Sequence, residues 1–295
     1  MSQHKAVSVV FLGTSAFAVP CVKILAADKF FDVKLVITQP DRPVGRKQIV
    51  TPSPIKIAAL ELGLSIGQPE KINTSFSILS SQFPRPDFLV VVSYGQILSE
   101  EVLAWPTIAA VNVHASLLPS LRGASPIQHA ILQGLSETGV TVQRMVRELD
   151  AGPILNRQSI ALDPRETFES LHDKLSLLGA DLLKRTLAAS LHEKMQDHRL
   201  ATFCKKLQTT DGIIDPSVMT ATHIDRMVRA LHPSPGVRYG EAKILCSDLK
   251  ETSESFPLPC AESSTLFISK IQPAGGKPMN GKEYLRGHAI PSTAT

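Results

Sequence analysis

Two polar side chains suited to acyl-transfer chemistry, Asn112 and His114, lie at the end of an apolar run of the sequence. The run Ala110–His114 has the composition of a buried strand, and strand alternation places both side chains on the same face. An amide and an imidazole side by side supply a hydrogen-bond donor for a developing oxyanion and a carrier for a proton. The alternative is structural, because a single histidine in such a place often only completes the hydrogen bonding of a core.

An acidic residue that can complete this pair, Asp150, follows the next apolar run, Thr141–Val146. It stands in the sequence Leu-Asp-Ala-Gly-Pro, which is typical of a tight turn. If the fold brings Asp150 beside His114, its carboxylate orients the imidazole ring and stabilises the charged form of that ring. The alternative is that Asp150 only stabilises the turn through its own backbone.

The sequence lacks the motifs that a serine nucleophile or a familiar nucleotide site would require in this region. Ser116 beside His114 does not fit a nucleophile, since no GxSxG turn is present and a separation of two residues aims both side chains the same way along a strand. The turn Gly13-Thr14-Ser15 is not GxGxxG, and no GxxxxGK[ST] occurs. The sequence therefore predicts neither a serine hydrolase nor a nucleotide site of a familiar kind.

Short apolar runs alternate with helical patterns before residue 190, which predicts a mainly parallel sheet covered on both faces. The predicted strands are Val7–Leu12, Val33–Thr38, Phe88–Ser93, Ala110–His114 and Thr141–Val146. The predicted helices are Ala16–Ala27, Pro54–Leu62, Asn73–Gln82, Pro126–Gln133 and Thr167–Ala189. Ligands of such sheets bind outside the carboxyl ends of the strands, which is where Asn112 and His114 stand.

The last third of the sequence has a different character. Residues 190–206 are polar and basic, as in a linker. Beyond them lie a predicted helix, Ile224–Leu231, and short predicted strands that suit a small barrel or sheet. These strands are Val237–Tyr239, Lys243–Cys246 and Thr265–Ile271. The polar stretch Ser247–Ser264 predicts a surface loop.

Composition fits a globular chain with a cationic second part. The 295 residues are 43% hydrophobic and 20% charged, so a substantial core can form. Residues 1–183 carry 16 Lys and Arg against 16 Asp and Glu, whereas residues 184–286 carry 15 against 11. The excess suits a polyanionic partner, although an ordinary solvated surface explains the charge equally well.

Cysteine usage and hydropathy further limit the kinds of protein that this sequence can form. The four cysteines, Cys21, Cys204, Cys246 and Cys260, are scattered without CxxC spacing, which argues against disulfides and structural metal. Lys5 and the apolar run after it faintly resemble a signal peptide, but Gly13 breaks the run early. No apolar stretch reaches the roughly 20 residues that span a bilayer. We therefore expect a soluble cytoplasmic protein without a membrane partner.

Several motifs together resemble one enzyme family along nearly the whole chain. They are FLGT (11–14), QPDRPVGR (39–46), PSPIK (52–56), VVVSYGQIL (90–98), VNVHASLLPSLRGASPIQ (111–128), ETGVT (137–141), LDAGPIL (149–155) and QPAGGKPM (272–279). Asn-x-His-x-Ser-Leu-Leu-Pro with the later Leu-Asp-x-Gly resembles the formyl-tetrahydrofolate transferases. The QPDRP loop and the QPAGGKPM ending narrow the resemblance to the methionyl-tRNA formyltransferase family.

The resemblance implies a fold, an activity and partners. It implies an α/β fold, with a Rossmann-like, mainly parallel catalytic domain over residues 1–190, a linker over 191–206 and a shortened OB-like β-barrel for tRNA over 207–295. The implied reaction moves the formyl group of 10-formyltetrahydrofolate to the α-amino group of methionine on initiator tRNA, for translation initiation. It requires no metal, and we expect a monomer.

The resemblance also implies roles for individual residues. The implied catalytic residues are Asn112, His114 and Asp150. The implied folate contacts are Ser116, Leu117, Leu118, Pro119, Tyr94, Gly95, Gln96, Ile97 and Leu98. The implied tRNA contacts are Arg42, Arg46 and Lys47, in the loop at 39–56, which its Pro and Gly residues predict to be irregular.

Three alternatives remain open at this point. A sugar-nucleotide formyltransferase would share the catalytic residues but accept an amino sugar. A hydrolase of formyl-tetrahydrofolate would replace the acceptor amine with water. A protein that only binds tRNA or folate, without catalysis, is the third, and the shortened second domain is its only support.

Overall fold

A computed structural model of the chain describes residues 6–45 and 47–290. Over these residues the chain divides into two compact units. The first comprises the chain up to Gly123 together with Thr138–Ile160 and His172–Phe203. The second comprises Ala124–Glu137, Ala161–Leu171 and the chain from Cys204 onward.

The strands fall into one seven-stranded sheet, one five-stranded sheet and short pairs. In chain order they are β1 (Val7–Gly13), β2 (Phe31–Ile37), β3 (Arg42–Val44), β4 (Ile49–Thr51), β5 (Ile66–Gly67), β6 (Phe88–Val92), β7 (Ala109–His114), β8 (Arg122–Gly123), β9 (Glu137–Arg144), β10 (Ile154–Ala161), β11 (Phe203–Cys204), β12 (Val237–Tyr239), β13 (Ala242–Asp248), β14 (Phe256–Pro259), β15 (Thr265–Gln272) and β16 (Met279–Asn280). All strands expected from the sequence form, with small differences at their ends.

All the predicted helices form, the first of them after a 3₁₀ turn at Ala16–Ala18, and two further helices, Glu100–Leu103 and Gly281–Gly287, were not predicted. In chain order they are α1 (Val19–Ala27), α2 (Pro54–Glu61), α3 (Ile72–Gln82), α4 (Glu100–Leu103), α5 (Pro126–Gln133), α6 (Phe168–Leu187), α7 (Ala221–Leu231) and α8 (Gly281–Gly287). Helix α2 shows why such starts are recognisable, because Pro54 opens it and the hydroxyl of Ser53 accepts the Lys56 backbone N–H at 3.0 Å. Over the described residues, no helix has the length and apolarity that crossing a membrane requires.

The seven-stranded sheet positions the residues at the end of β7. Its order is β10-β9-β7-β6-β1-β2-β5. Strand β1 pairs in parallel with β2 and β6, and β6 pairs in parallel with β7, whereas β9 runs antiparallel to β7. Residues Val9–Leu12 of β1 are fully buried, because a strand in the middle of a sheet with two covered faces has no solvent side. The prediction of a mainly parallel α/β sheet is confirmed.

Two predicted loops contain strands. The loop at 39–56 is not irregular throughout, since β3 and β4 form a two-stranded hairpin within it. The predicted surface loop Ser247–Ser264 contains β14, which pairs with β15. Prolines hid this strand in the sequence: Pro257 and Pro259 occupy its exposed positions, whereas Phe256 and Leu258 are buried.

The second unit contains the antiparallel sheet. Its order is β12-β13-β15-β14, and β16 also pairs with β15. A buried carboxylate beside this sheet, Asp225 of α7, accepts hydrogen bonds from Arg165 at 2.8 Å and Arg229 at 2.9 Å. The two guanidinium groups compensate a charge that would otherwise be costly to bury. The expectation of a small second domain built on β-strands is confirmed, and its sheet is antiparallel.

Candidate active site

Asn112 and His114 lie in the last three residues of β7, where the neighbouring antiparallel strand β9 places Gln143 opposite Asn112. The imidazole is held from one side, because its Nε2 lies 2.9 Å from the carbonyl oxygen of Leu121. A carbonyl oxygen can only accept, so Nε2 carries a proton in this arrangement. The other ring nitrogen, Nδ1, faces Asp150.

The carboxylate of Asp150 is the meeting point of the cluster. Its Oδ1 lies 3.7 Å from His114 Nδ1 and accepts hydrogen bonds from Asn112 Nδ2 at 3.4 Å and Gln143 Nε2 at 3.0 Å. Its Oδ2 accepts the backbone N–H of Gly123 at 2.9 Å. The structure thus brings the three residues singled out in the sequence together at one oxygen atom.

Burial strengthens the electrostatics of this cluster. The side chains of His114 and Asp150 are 8% and 9% exposed. Charge interactions and hydrogen bonds are stronger in such surroundings than in water, and they hold polar groups in fixed positions. Since His114 Nε2–H is bonded to Leu121 O, the groups left for a substrate are the second N–H of Asn112, His114 Nδ1 and the Asp150 carboxylate.

The turn that carries Asp150 depends on a close backbone approach at Gly152. A β-carbon on Gly152 would overlap the carbonyl oxygen of Arg144. The Arg144 carbonyl shares a peptide unit with the Met145 N–H, which donates to Ala110 O at 2.8 Å, so this carbonyl cannot move aside without straining that bond. Glycine is therefore required at this point of the Leu-Asp-Ala-Gly-Pro turn.

We expect Gly152→Ala to lower the free energy of unfolding by about 1–3 kcal/mol, which is typical of overpacking a fixed site. Gly287→Ala is the matched control, because nothing lies within 4 Å of a β-carbon at that position. Denaturant unfolding of both variants and the unmodified chain measures the difference. Equal midpoints for the two variants would show that the Arg144 carbonyl yields at little cost.

The segment 116–119 lies partly in the interior. Ser116 is buried and its hydroxyl donates to Ser120 O at 2.5 Å, and Leu118 is fully buried. Leu117 and Pro119 are half-buried. Only the latter two side chains are therefore partly open to a ligand in this structure.

The stretch after β6 borders a cavity of about 580 Å³. Its lining residues are Thr14, Ser15, Gln39, Glu70, Lys71, Ser93, Tyr94, Gly95, Gln96 and Ile97. Tyr94 is 2% exposed, and its hydroxyl has no hydrogen-bond partner among the described residues. Burial raises the pKa of Tyr94 to about 12, so the phenol stays protonated and can donate. Ile97 is 84% exposed, whereas Leu98 is buried.

Two cationic residues of the 39–56 segment, Arg42 and Lys47, are exposed. Arg42 is exposed on β3 and contacts Glu70 at 2.5 Å, and Lys47 is exposed between β3 and β4. Arg46 lies outside the described residues. At the base of the hairpin, the ammonium group of Lys56 donates to Asp41 at 2.6 Å and lowers the pKa of that carboxyl.

Several contacts in the cluster were not expected from the sequence. Gln143 donates directly to Asp150. Strand alternation from Thr141 indicates its position, because it places Gln143 on the same face of the sheet as Asn112, its partner across the two strands. Gln196 and Arg122 support the Asp150 turn from a distant part of the chain. Their separation of 74 residues left no local pattern to find.

Comparisons with known proteins match formyltransferases along nearly the whole chain. The family described as "Formyl transferase" matches residues 6–187, and "Formyl transferase, C-terminal domain" matches residues 206–289. The methionyl-tRNA formyltransferase of Lysinibacillus sphaericus is 39% identical to this chain, and the match covers 95% of this chain and 96% of that protein. That of Roseiflexus castenholzii is 40% identical, with 95% of each chain covered.

A solved structure shows the same fold at low identity. It is the N-formyltransferase from Helicobacter canadensis in complex with folinic acid and dTDP-3-aminofucose, with a TM-score of 0.66 and 16% identity over 89% of this chain and 98% of that chain. The curated relatives are far more similar in sequence and are covered almost end to end. The chain therefore belongs to the methionyl-tRNA formyltransferase family.

Proposed function

We propose that this chain transfers the formyl group of 10-formyltetrahydrofolate to the α-amino group of methionine attached to initiator tRNA. The observation that carries the proposal is the convergence of Asn112, His114 and Asp150 on one buried carboxylate oxygen at the end of β7. An amide, an imidazole and a carboxylate are the groups that formyl transfer to an amine requires.

Each member of the cluster has a distinct task in this proposal. 10-Formyltetrahydrofolate supplies an activated formyl group when bound. The second Nδ2–H of Asn112 and the Nδ1–H of His114 donate hydrogen bonds where negative charge develops on the formyl oxygen, since His114 Nε2–H is already bonded to Leu121 O. Asp150 holds His114 in orientation and accepts the proton that the acceptor ammonium gives up, at Oδ1 or through water. The neutral amine then attacks the formyl carbon, the bond from that carbon to N10 of the folate breaks, and the proton held by Asp150 passes to N10, so that tetrahydrofolate leaves in its neutral form. Gln143 and Gly123 keep the carboxylate in place through their hydrogen bonds.

We assign the folate donor to the carboxyl ends of β6 and β7. The cavity after β6, which is lined by residues 93–97 together with polar side chains such as Gln39, fits a flat ring with polar edges. The assigned contacts are Tyr94, Gly95, Gln96, Ile97 and Leu98 after β6, and Ser116, Leu117, Leu118 and Pro119 after β7. Since Ser116 and Leu118 have buried side chains, Leu117 and Pro119 offer the apolar surface of the second group.

We assign the tRNA to the cationic hairpin and to the second domain. Arg42 and Lys47 are exposed, and Arg46 joins them by its place in the same segment. In this proposal residues 1–190 form the catalytic domain, 191–206 the linker and 207–295 the shortened OB-like tRNA-binding domain. The protein acts as a monomer in the cytoplasm.

The hairpin assignment predicts a salt-dependent defect. We expect the double variant Arg42→Ala/Lys47→Ala to raise KM for charged tRNA, and to flatten the dependence of log KM on log salt by about one unit for each phosphate that is no longer neutralised. At saturating tRNA, kcat stays near that of the unmodified enzyme. The matched control is Lys23→Ala/Lys34→Ala, which removes the same charge from other surface positions of the first unit. Equal salt slopes for the two double variants would remove the hairpin from the tRNA interface.

The acceptor is tested by incubating the purified protein and 10-formyltetrahydrofolate in three separate reactions. These contain methionine-charged initiator tRNA, an amino-sugar nucleotide, or buffer alone. We expect formylation of the charged tRNA only. Formylation of the amino sugar would make the chain a sugar-nucleotide formyltransferase, and release of formate in buffer would make it a hydrolase. Binding of folate or tRNA without any of these products would make it a binding protein.

A further inference from the structure

A ten-residue segment of the first unit, 193–202, runs beside the Asn112–His114–Asp150 cluster, and we name it the strap. Its backbone is paired near both ends. Lys194 exchanges both backbone hydrogen bonds with Ile154, at 2.9 and 2.8 Å, and the Thr202 carbonyl accepts the Arg122 N–H at 2.8 Å. The strap is thus joined to the strand after Asp150 and to the loop after His114.

One side chain of the strap holds the backbone of the catalytic turn. Gln196 is 5% exposed, and its Nε2 donates to Asp150 O at 2.9 Å and to Gly152 O at 2.7 Å. Its Oε1 accepts from Arg122 Nε at 3.2 Å and Arg122 Nη2 at 2.7 Å. Arg122 is 1% exposed. The amide of Gln196 is therefore fixed at one end by a buried guanidinium, and its other end binds two carbonyls of the turn.

A second side chain of the strap, that of Thr202, binds Leu121, the residue whose carbonyl holds the imidazole of His114. Thr202 Oγ1 accepts the backbone N–H of Leu121 at 2.8 Å, and Leu121 O is the group that accepts the His114 Nε2 proton. The strap therefore touches the residue that orients His114 as well as the turn that carries Asp150.

The backbone explains why such external support is needed. Leu121 has φ +56° and Asp150 has φ +51°. Residues other than glycine adopt this left-handed region at an energetic cost, and they stay there when surrounding contacts hold them. Gln196 donates to the carbonyl of Asp150, and Thr202 accepts the N–H of Leu121, so the strap holds both of these residues.

We propose that the strap is a positioning element for formyl transfer, in which Gln196 positions Asp150 and Thr202 positions His114. The inference rests on the proposed function. Neither residue touches the reacting groups. Each acts through the backbone that aims a catalytic side chain, so its loss lowers the rate of the chemical step and leaves substrate binding unchanged.

The test compares Gln196→Met with Gln158→Met. Methionine keeps the length of glutamine but has no amide to donate. Gln158 is a matched control because it lies on β10, where its side chain accepts from Arg185 at 2.5 Å. We expect Gln196→Met to lower kcat for charged tRNA about 10- to 100-fold, since misplacement by about 1 Å costs that order of rate. KM for both substrates stays within about twofold of the control.

Two further variants separate positioning from general damage. Combined with Asp150→Ala, Gln196→Met should slow the reaction no more than Asp150→Ala alone, because residues that act as one unit are not additive. Thr202→Val, alone and combined with His114→Ala, repeats the test at the other end of the strap. It keeps the proposal testable if Gln196→Met does not fold, which thermal unfolding of each variant detects.

The outcomes are distinct. If the unmodified enzyme and Gln158→Met formylate tRNA but Gln196→Met matches them within about threefold, the strap does not position the site. Multiplicative losses in the double variants would also overturn the proposal. If the unmodified enzyme itself does not formylate tRNA, the proposed function is wrong. This outcome is distinct from a failure of the strap proposal, which requires an active unmodified enzyme and an equally active Gln196→Met variant.

Discussion

Replacement of His114 with alanine is expected to lower the rate of formyl transfer by about two to four orders of magnitude. Two losses combine in this variant. The Nδ1–H of the imidazole no longer donates to the developing oxyanion, a contribution of about 10²–10³, and the proton carrier is removed as well. Asn112 remains, and it provides the residual rate. Single-turnover formylation at saturating tRNA measures the effect on the chemical step.

His223→Ala is the control for this variant, because His223 is an exposed histidine near the start of α7. We expect its rate to stay within about twofold of the unmodified enzyme. His114→Ala must also keep its affinity for folate, measured by equilibrium binding. A His114→Ala rate within tenfold of the unmodified enzyme, with folate bound normally, would remove His114 from the catalytic machinery.

The second large effect is expected for Asp150→Asn, which should slow transfer by about two orders of magnitude or more. Both carboxylate oxygens accept hydrogen bonds, Oδ1 from Asn112 and Gln143 and Oδ2 from the Gly123 N–H. An amide replaces one oxygen with a donor, so at least one of these contacts becomes donor against donor. The negative charge beside His114 Nδ1 and the proposed proton acceptor disappear together.

Asp181→Asn provides the matched control for the charge change. Asp181 pairs with Arg185 at 2.9 Å on the surface of α6, where an ion pair contributes little. Its single-turnover rate should equal that of the unmodified enzyme. If Asp150→Asn keeps more than a tenth of the normal rate while Asp181→Asn is unaffected, Asp150 acts only in the turn, as the structural alternative states.

The sheet was predictable because its central strands have no solvent side. Strand β6 and residues 9–13 of β1 are buried on both faces and appear in the sequence as apolar runs without polar alternation. Strand β10 was missed for the opposite reason, since all its residues are half-buried or exposed and no apolar run marks it. The hairpin of β3 and β4 is fully exposed, so hydropathy gave no signal there either.

The site was predictable where its residues share a strand end or a distinctive turn. Alternation on β7 placed Asn112 and His114 together, and the Leu-Asp-Ala-Gly-Pro turn marked Asp150. Gln196 lies in a segment that composition predicts to be a linker, and its contacts to Asp150 and Gly152 cross 46 and 44 residues. Such contacts follow from the assembled fold and leave no periodic pattern in one sequence.

Single-turnover formylation by the full chain tests the central claim most directly. The reaction contains excess enzyme, 10-formyltetrahydrofolate with a labelled formyl group, and methionine-charged initiator tRNA, with His114→Ala run in parallel. We predict that the label appears on the methionine amine of the tRNA, and that its rate of appearance falls at least a hundredfold in the variant. Release of labelled formate with unformylated tRNA, or equal rates for the two enzymes, would contradict the account.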